Sequence, residues 1–431
     1  MLLIYTHKKT NRVKYIFKLI IGQILGLEYS ITDNEEEYEA YEGPRFTYAH
    51  QKLKSGLFFS CLDLLFERGI EGQEITTLEF EGNPAFFQVY NIDSILPFDI
   101  FAASFYLVTR YEEYLPYVKD EHGRFQAKDS LAFQQGFLEK PLVNIWAQHI
   151  GEILTRHFPG LKVKERSFKF VPTIDINAAF AIRSKGLIRS VGGYIKDVGD
   201  LSFKNLIKRT RVIMGLLGDP IDTYAQQLEL QKKYELQTIY FILFAEYGHN
   251  DKNISINNRK FQVLIKSLAD YCRVGLHSSF SSIKDPDLLR IELERLSRVL
   301  NREITKIRQH FLVLNMPVTY RTMVNLDMHE DYSMGYVNQP GFRAGITDAF
   351  NFYDLDLDVE TNLRIHPFSI LNLDPLSEPS PMDKILQVVD EVKRVKGTLI
   401  SMWSNEVLNQ DIHAPYGLGF YERMIKEILE S

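Results

Sequence analysis

The chain has little cysteine: only Cys61 and Cys272 among 431 residues. They lie far apart in apolar or helical context, so a disulfide framework and a cysteine-rich zinc module are both excluded, and the expected state is two buried free thiols in a reducing compartment. Positive charge is not in excess either. The formal net charge of −6 speaks against a nucleic-acid binder. No run approaches the roughly 20 apolar residues of a membrane span. The most apolar early stretch, residues 16–27, is broken by Lys18 and Gln23, has no small-residue cleavage site and is followed at once by Glu28. Val13, Ile16, Phe17, Ile20, Ile21, Ile24 and Leu25 instead follow helical spacing, with Gly26 as a stop. Repeats and low-complexity tracts are also absent. These absences predict a globular protein of the cytoplasm.

What is abundant is aromatic and apolar. Hydrophobic residues make up 45% of the chain, and 29 Phe and 23 Tyr are among them. That supplies a sizeable core and fits a groove that stacks on flat ligands. The length predicts at least two domains. Residues 1–160 alternate strand-like and helix-like segments, with helices expected over 99–114 and 141–158, and residues 159–166 read as a linker. Residues 167–431 alternate more regularly. Strands are expected over 168–176, 238–244, 273–277, 306–312, 349–353, 362–370 and 398–403, with helices over 223–234, 257–271, 286–300 and 382–396. Such βα alternation implies an α/β fold with a parallel sheet, open or closed into a barrel, and about seven strands in this length favour a barrel.

Three of these strands carry polar residues where they end. Asp175 and Asn177 stand two apart after an apolar run, so both point to one face. His277 closes the strand Val274-Gly275-Leu276, and Trp403 leads into Ser404-Asn405-Glu406. Polar groups at the carboxyl ends of parallel strands are where α/β folds place their sites. Each has a plainer role open to it: Asp175 or Asn177 as a helix cap before Ala178-Ala179-Phe180, His277 as a satisfied core histidine, Arg308 as an ion-pair partner, and Trp403 and Phe342 as core aromatics. His329, His366 and His413 have no matched spacing and read as ordinary residues. Lys204 to Arg211 is a basic helix face, solvated or touching an anionic polymer.

Longer blocks carry a resemblance. Tyr41-Glu42-Gly43-Pro44, Phe101 to Tyr106, Arg110-Tyr111-Glu112-Glu113-Tyr114 and Gly136 to Pro141 occur in the first half. Pro172-Thr173-Ile174-Asp175-Ile176, Arg308-Gln309-His310-Phe311, Asp331 to Tyr336, Pro340 to Gly345 and Glu360 to Leu363 occur in the second. With these blocks the second half resembles the polysaccharide deacetylase (NodB-homology) family. The whole chain resembles a two-domain branch of Bacteroidetes type that carries an N-terminal domain of unknown function. The resemblance implies a distorted (β/α) barrel that hydrolyses acetyl groups on sugars, in cell-surface polysaccharide metabolism. It also implies a divalent metal, usually zinc, held by one Asp and two His, with an Asp as base and a late His as acid.

Carried over residue by residue, the resemblance puts Asp175 at the base and Arg308 at the residue that orients it. Asn177, His277 and Ser281 fall at the three metal positions, and Ser404 at the acid position. Trp403, Asn405 and Phe342 are expected to contact substrate. Asn177, Ser281 and Ser404 depart from the pattern: the first is a neutral ligand, the second a poor one, and a serine hydroxyl is no proton donor near neutral pH. His310, two residues beyond Arg308, is a replacement ligand by strand parity. The expectation is therefore a partly degenerate deacetylase-like site with zinc weakly held or absent, acting on an acetylated sugar. A binding scaffold for a glycan or partner protein is the alternative. A metal-free glycoside hydrolase pairing Asp175 with Asp354 or Glu406 is a third reading.

Overall fold

A computed structural model describes residues 1–183, 203–372, 380–409 and 417–430; His413 and the start of the basic stretch, including the Lys204 side chain, lie outside the described residues. The chain opens with strand β1 (Leu2–Thr6) and a helix over Asn11–Phe17, capped by the Thr10 side chain, that runs on in π-helical form to Ile24. Gly26 ends it at φ +67°, the left-handed conformation that glycine takes at low cost. Strands β2 (Tyr29–Thr32), β3 (Arg45–Ala49) and β4 (Leu57–Ser60) join β1 in a parallel sheet of order β2-β1-β3-β4. A small antiparallel hairpin, β5 (Thr77–Phe80) and β6 (Asn83–Phe86), follows.

The helix expected over 99–114 is shorter. Asp99 caps it, it spans Ile100–Val108, and Arg110 at φ +54° turns the chain into a 3-10 segment, Tyr111–Tyr114. The helix Leu142–His157 matches its expectation.

The second sheet holds nine strands. They are β7 (Lys169–Ile176), β8 (Ile239–Leu243), β9 (Arg273–His277), β10 (Lys306–Arg308), β11 (Glu330–Asp331), β12 (Phe350–Asp354), β13 (Val359–Ile365), β14 (Ile370–Leu371) and β15 (Thr398–Ser404), in the order β12-β13-β11-β10-β9-β8-β7-β15-β14. All neighbours are parallel except β12 and β13. Helices over Tyr224–Lys233, Arg259–Tyr271, Pro286–Leu300 and Pro381–Arg394 fall between strands as expected. Pro172 lies inside β7, yet β8 pairs with β7 only from Thr173 onward. The missing N–H therefore falls where β7 has one neighbour.

The barrel does not close among the described residues. At one end β14 is two residues long. At the other, β12 turns antiparallel and its hairpin is covered by the first helix. Tyr15 donates to the Asn351 carbonyl at 2.8 Å, Arg12 Nε to Asp358 at 3.0 Å, and Lys18 pairs with Glu360 at 2.7 Å. Strand 306–312 also stops early, because Phe311 and Leu312 both have φ +54°, which non-glycine residues seldom adopt.

Between the two sheets lies a charged joint. Arg343 forks onto Glu113 (2.9 and 2.6 Å), and Arg110 bonds the same carboxylate at 2.7 Å and Tyr336 at 3.0 Å, all buried. Gly341 passes so close to Leu138 that an added Cβ would lie 2.6 Å from the Leu138 carbonyl oxygen. Blocks 110–114, 136–141 and 340–345 thus have a structural use: they fasten the two halves together.

Candidate active site

Five adjacent strands, β15, β7, β8, β9 and β10, end on one rim around a cavity of about 460 Å³. Asp175, Asn177, His277, His310 and Ser404 all line it. Register explains the convergence: Ser404 pairs with Asp175 and Arg308 with His277. Residues two apart share a face, so Met402, Ser404 and Glu406 line the cavity together.

Asp175 is buried and held by Arg308, whose Nη1 donates to Oδ1 at 2.7 Å. Arg308 is itself fixed. Nη1 also donates to Thr173 Oγ1 at 2.8 Å, Nε donates to the Tyr332 carbonyl at 2.9 Å, and the guanidinium lies 4.5 Å from the centre of the Phe241 ring. Burial raises the Asp175 pKa; the Arg308 charge and hydrogen bond pull it back. The Asp175 side chain has no other hydrogen bond among the described residues.

The histidines are more telling. His277 Nδ1 lies 3.2 Å from the Arg308 carbonyl oxygen, and His310 Nε2 lies 3.2 Å from the Asn250 carbonyl oxygen. A carbonyl only accepts, so the tautomers that satisfy both carbonyls put the hydrogens on those two nitrogens. His277 Nε2 and His310 Nδ1 then face each other as lone pairs, 2.9 Å apart. Burial lowers the His277 pKa to about 3, with Arg308 adding to the effect, and burial with His277 beside it lowers His310 to about 4. In these tautomers the two neutral rings present opposed lone pairs that can ligate a cation. Donation of the second ring N–H to a carbonyl is how metal-binding histidines are oriented.

A metal fits this donor set. Besides the two imidazole nitrogens, Asn177 Oδ1 is buried with no hydrogen-bond partner among the described residues, while its Nδ2 donates to Ser404 Oγ at 3.3 Å. His277 and His310 offer two imidazole donors of the kind a zinc site uses, and the Asn177 oxygen and the Asp175 carboxylate line the same cavity.

Several expectations need correction. Ser281 is not at the cavity; its hydroxyl and amide bond Asp251 at 2.9 and 3.2 Å. Trp403 and Asn405 do not line the cavity. Both are fully buried on the opposite face of the β15 line, Trp403 against Tyr421 and Asn405 on the Ala178 carbonyl and the Tyr224 hydroxyl. Phe342 is buried at the joint, its N–H bonded to the Leu138 carbonyl. No helix starts at Ala178, so Asn177 caps none. Asp354 is paired with Arg321 at the far edge of the sheet, which leaves Glu406 as the one member of the expected carboxylate pairing that shares the cavity with Asp175.

Sequence reasoning missed the loop after β8. It brings His249, Asn250 and Lys252 to the cavity, and buried Asp251 lies 4.0 Å from His310 Nε2 while holding the Phe280 and Ser281 amides. The signal available was topological: a loop leaving the carboxyl end of a strand between β7 and β9 has to pass the site. Arg124, from the first half, also lines the cavity and donates to the Phe311 carbonyl at 3.1 Å.

Comparison with known proteins adds the following. The model of a family of unknown function (DUF7033) matches residues 2–159. No curated protein matches the chain. Solved structures similar to it include the polysaccharide deacetylase Bc1974 from Bacillus cereus, at 11% identity over 62% of this chain and 88% of that one, TM-score 0.30. They also include the Puue allantoinase, at 9% identity over 64% and 87%, TM-score 0.37. A third is BA3943 from Bacillus anthracis, a CE4 family pseudoenzyme, at 10% identity over 62% of each chain, TM-score 0.28. At such scores the likeness assigns neither activity nor substrate to this chain.

Proposed function

We propose that the cavity is a metal-assisted hydrolytic site that removes an acetyl group from a carbohydrate, with the ester preferred over the amide. The observation that carries this reading is the approach of His277 Nε2 and His310 Nδ1 to 2.9 Å beside a carboxylate locked by Arg308. The resemblance of the sequence blocks supplies the substrate class. We also treat residues 1–160 and 167–431 as two domains, since each half builds its own parallel sheet.

A divalent metal held by His277, His310 and Asn177 would supply Lewis-acid polarisation of the acyl carbonyl. Asp175 takes the proton from the attacking water, and a raised pKa brings a carboxylate nearer the range where it is a useful base. Arg308 keeps the Asp175 carboxylate in one orientation. Ser404 stands at the mouth of β15 and donates no proton near neutral pH. A leaving amine must be protonated to depart, whereas a leaving sugar alcohol tolerates weaker acid assistance. That asymmetry favours O-acetyl over N-acetyl substrates.

The test is acetate release from O-acetylated and N-acetylated sugars by the full chain with zinc added. Faster release from the esters, lost in Asp175→Asn, is expected. Ser404→His should then raise the amide rate toward the ester rate. Amide hydrolysis by the unmodified chain at or above the ester rate would contradict the assignment. Zinc binding without acetate release from either class would leave the scaffold reading standing in its place.

A further inference from the structure

We propose a second metal site, for zinc or a similar borderline-soft divalent ion, at the carboxyl edge of the first sheet, formed by His7, His50 and Cys61. Each residue directly follows a strand: His7 follows β1, His50 follows β3 and Cys61 follows β4. Those strands are adjacent and parallel, with Thr6 opposite Tyr48 and Ala49 opposite Ser60. The ladder therefore sets three metal-ligating side chains beside one another, although they are more than 50 residues apart at the extremes. Their ligand atoms all lie within 4.8 Å of one another. Tetrahedral bonds of about 2.0–2.3 Å place ligands about 3.3–3.6 Å apart, so a shift of about 1 Å closes the set.

The surroundings permit that shift and point to a ligand class. Cys61 is buried and anchored by its N–H on the Ala49 carbonyl at 3.2 Å, which fixes one donor. His7 and His50 are exposed, so their rings are free to turn and an ion has a path in. The rings already lie 4.8 Å apart, with Phe66 4.0 Å from His7 as an apolar wall. Asp63 Oδ1 lies 3.2 Å from His50 Nε2, an acceptor that can orient that ring. One thiolate and two imidazoles suit zinc or cobalt and disfavour magnesium and calcium, which take oxygen ligands. A bound ion would tie three strand ends together.

Cobalt(II) is the probe, because only a thiolate ligand gives the strong ligand-to-metal charge-transfer absorption in the near ultraviolet. The first cavity has no cysteine on its wall, and Cys272 bonds Gln231 on another part of the fold. Titration of the full chain with cobalt is expected to give one equivalent of this absorption. Cys61→Ala should abolish it, while Cys272→Ala and His310→Ala keep it. The exposed positions His7→Asn and His50→Asn should weaken cobalt binding by more than the roughly 10–100-fold typical of outer-shell changes, with circular dichroism unchanged. Absence of the band in the unmodified chain would overturn the proposal, as would its survival in Cys61→Ala or unaltered affinity in both histidine variants.

Discussion

Two parallel sheets end in two polar edges of opposite character. On the nine-stranded sheet, Asp175, His277 and His310 are buried, and each is tied to a partner that fixes its orientation: Arg308, the Arg308 carbonyl and the Asn250 carbonyl. On the four-stranded sheet, Cys61 is buried but His7 and His50 are exposed, and the nearest carboxylate, Asp63, is itself largely in solvent. The same topology has placed ligating residues at both edges. Burial of every ligating side chain is present at only one. Preorganised groups at the first can hold a reacting water and a base in one geometry, whereas the second has the character of an adaptable ion-binding clamp.

The largest expected effect comes from breaking the buried ion pair. Asp175→Asn removes the base and should lower hydrolysis by at least about 10²–10⁴. It also leaves Arg308 charged and unpaired in the interior, at a cost of about 3–5 kcal/mol in unfolding by urea. Asp63→Asn at the exposed edge should change neither quantity measurably. If the two variants behaved alike, the contrast between the edges would collapse.

A smaller effect is expected from Arg308→Lys. Lysine keeps the charge but loses the fork that reaches Thr173, Asp175 and the Tyr332 carbonyl. Hydrolysis should fall about 10–100-fold, the range for groups that orient other groups. Metal content, measured on the same sample, should change less than activity does.

The joint between the halves gives a stability test independent of either edge. Glu113 accepts from both Arg343 and Arg110 in the interior. Glu113→Gln leaves the buried Arg343 guanidinium without a counter-charge, while Arg110 keeps Glu112 at 2.6 Å, and should destabilise the protein by about 3 kcal/mol or more, read from the urea midpoint. Arg290→Ala, which removes an exposed helical pair with Asp287, should cost under about 1 kcal/mol.

The last effect is a slope in pH. His277 and His310 have pKa values pushed down to about 3 and about 4, below the ordinary value of 6.5. As pH falls below about 6.5 the unfolded chain takes up protons that the folded pair refuses, so stability of the metal-stripped protein is lost between about pH 6.5 and 3. His310→Asn should flatten that slope in a series of denaturant titrations. His7 is also lowered by burial, but it is largely exposed, and His7→Asn should alter the slope little.

How far the sequence revealed this depended on periodicity. Asp175, Asn177 and His277 were legible because strand parity and strand ends are local properties. His310 lies past the end of β10, in a 3-10 turn, so its place at the cavity does not follow from strand parity, and the positive φ of Phe311 and Leu312 that turns the chain after it has no sequence signal either. The same alternation holds on β15. Trp403 and Asn405 flank Ser404, so they had to point away from whatever Ser404 faces. That the sheet does not close among the described residues was hidden because seven short apolar strands fit a barrel equally well, and the antiparallel turn of β12 under the first helix is what departs from one. Asp251 and Asn250 lie in a loop without any repeat to read. The His7, His50 and Cys61 group was invisible because its members meet only through the pairing of β1, β3 and β4.

The central claim is that His277 Nε2 and His310 Nδ1 converge on a metal beside Asp175. Anomalous diffraction at the zinc absorption edge from crystals of the full chain grown with zinc tests it most directly. The account predicts a peak between those two nitrogens, with His277 Nδ1 still on the Arg308 carbonyl and His310 Nε2 on the Asn250 carbonyl. Absence of a peak there at saturating zinc, with the two rings joined directly by an N–H···N hydrogen bond, would contradict it.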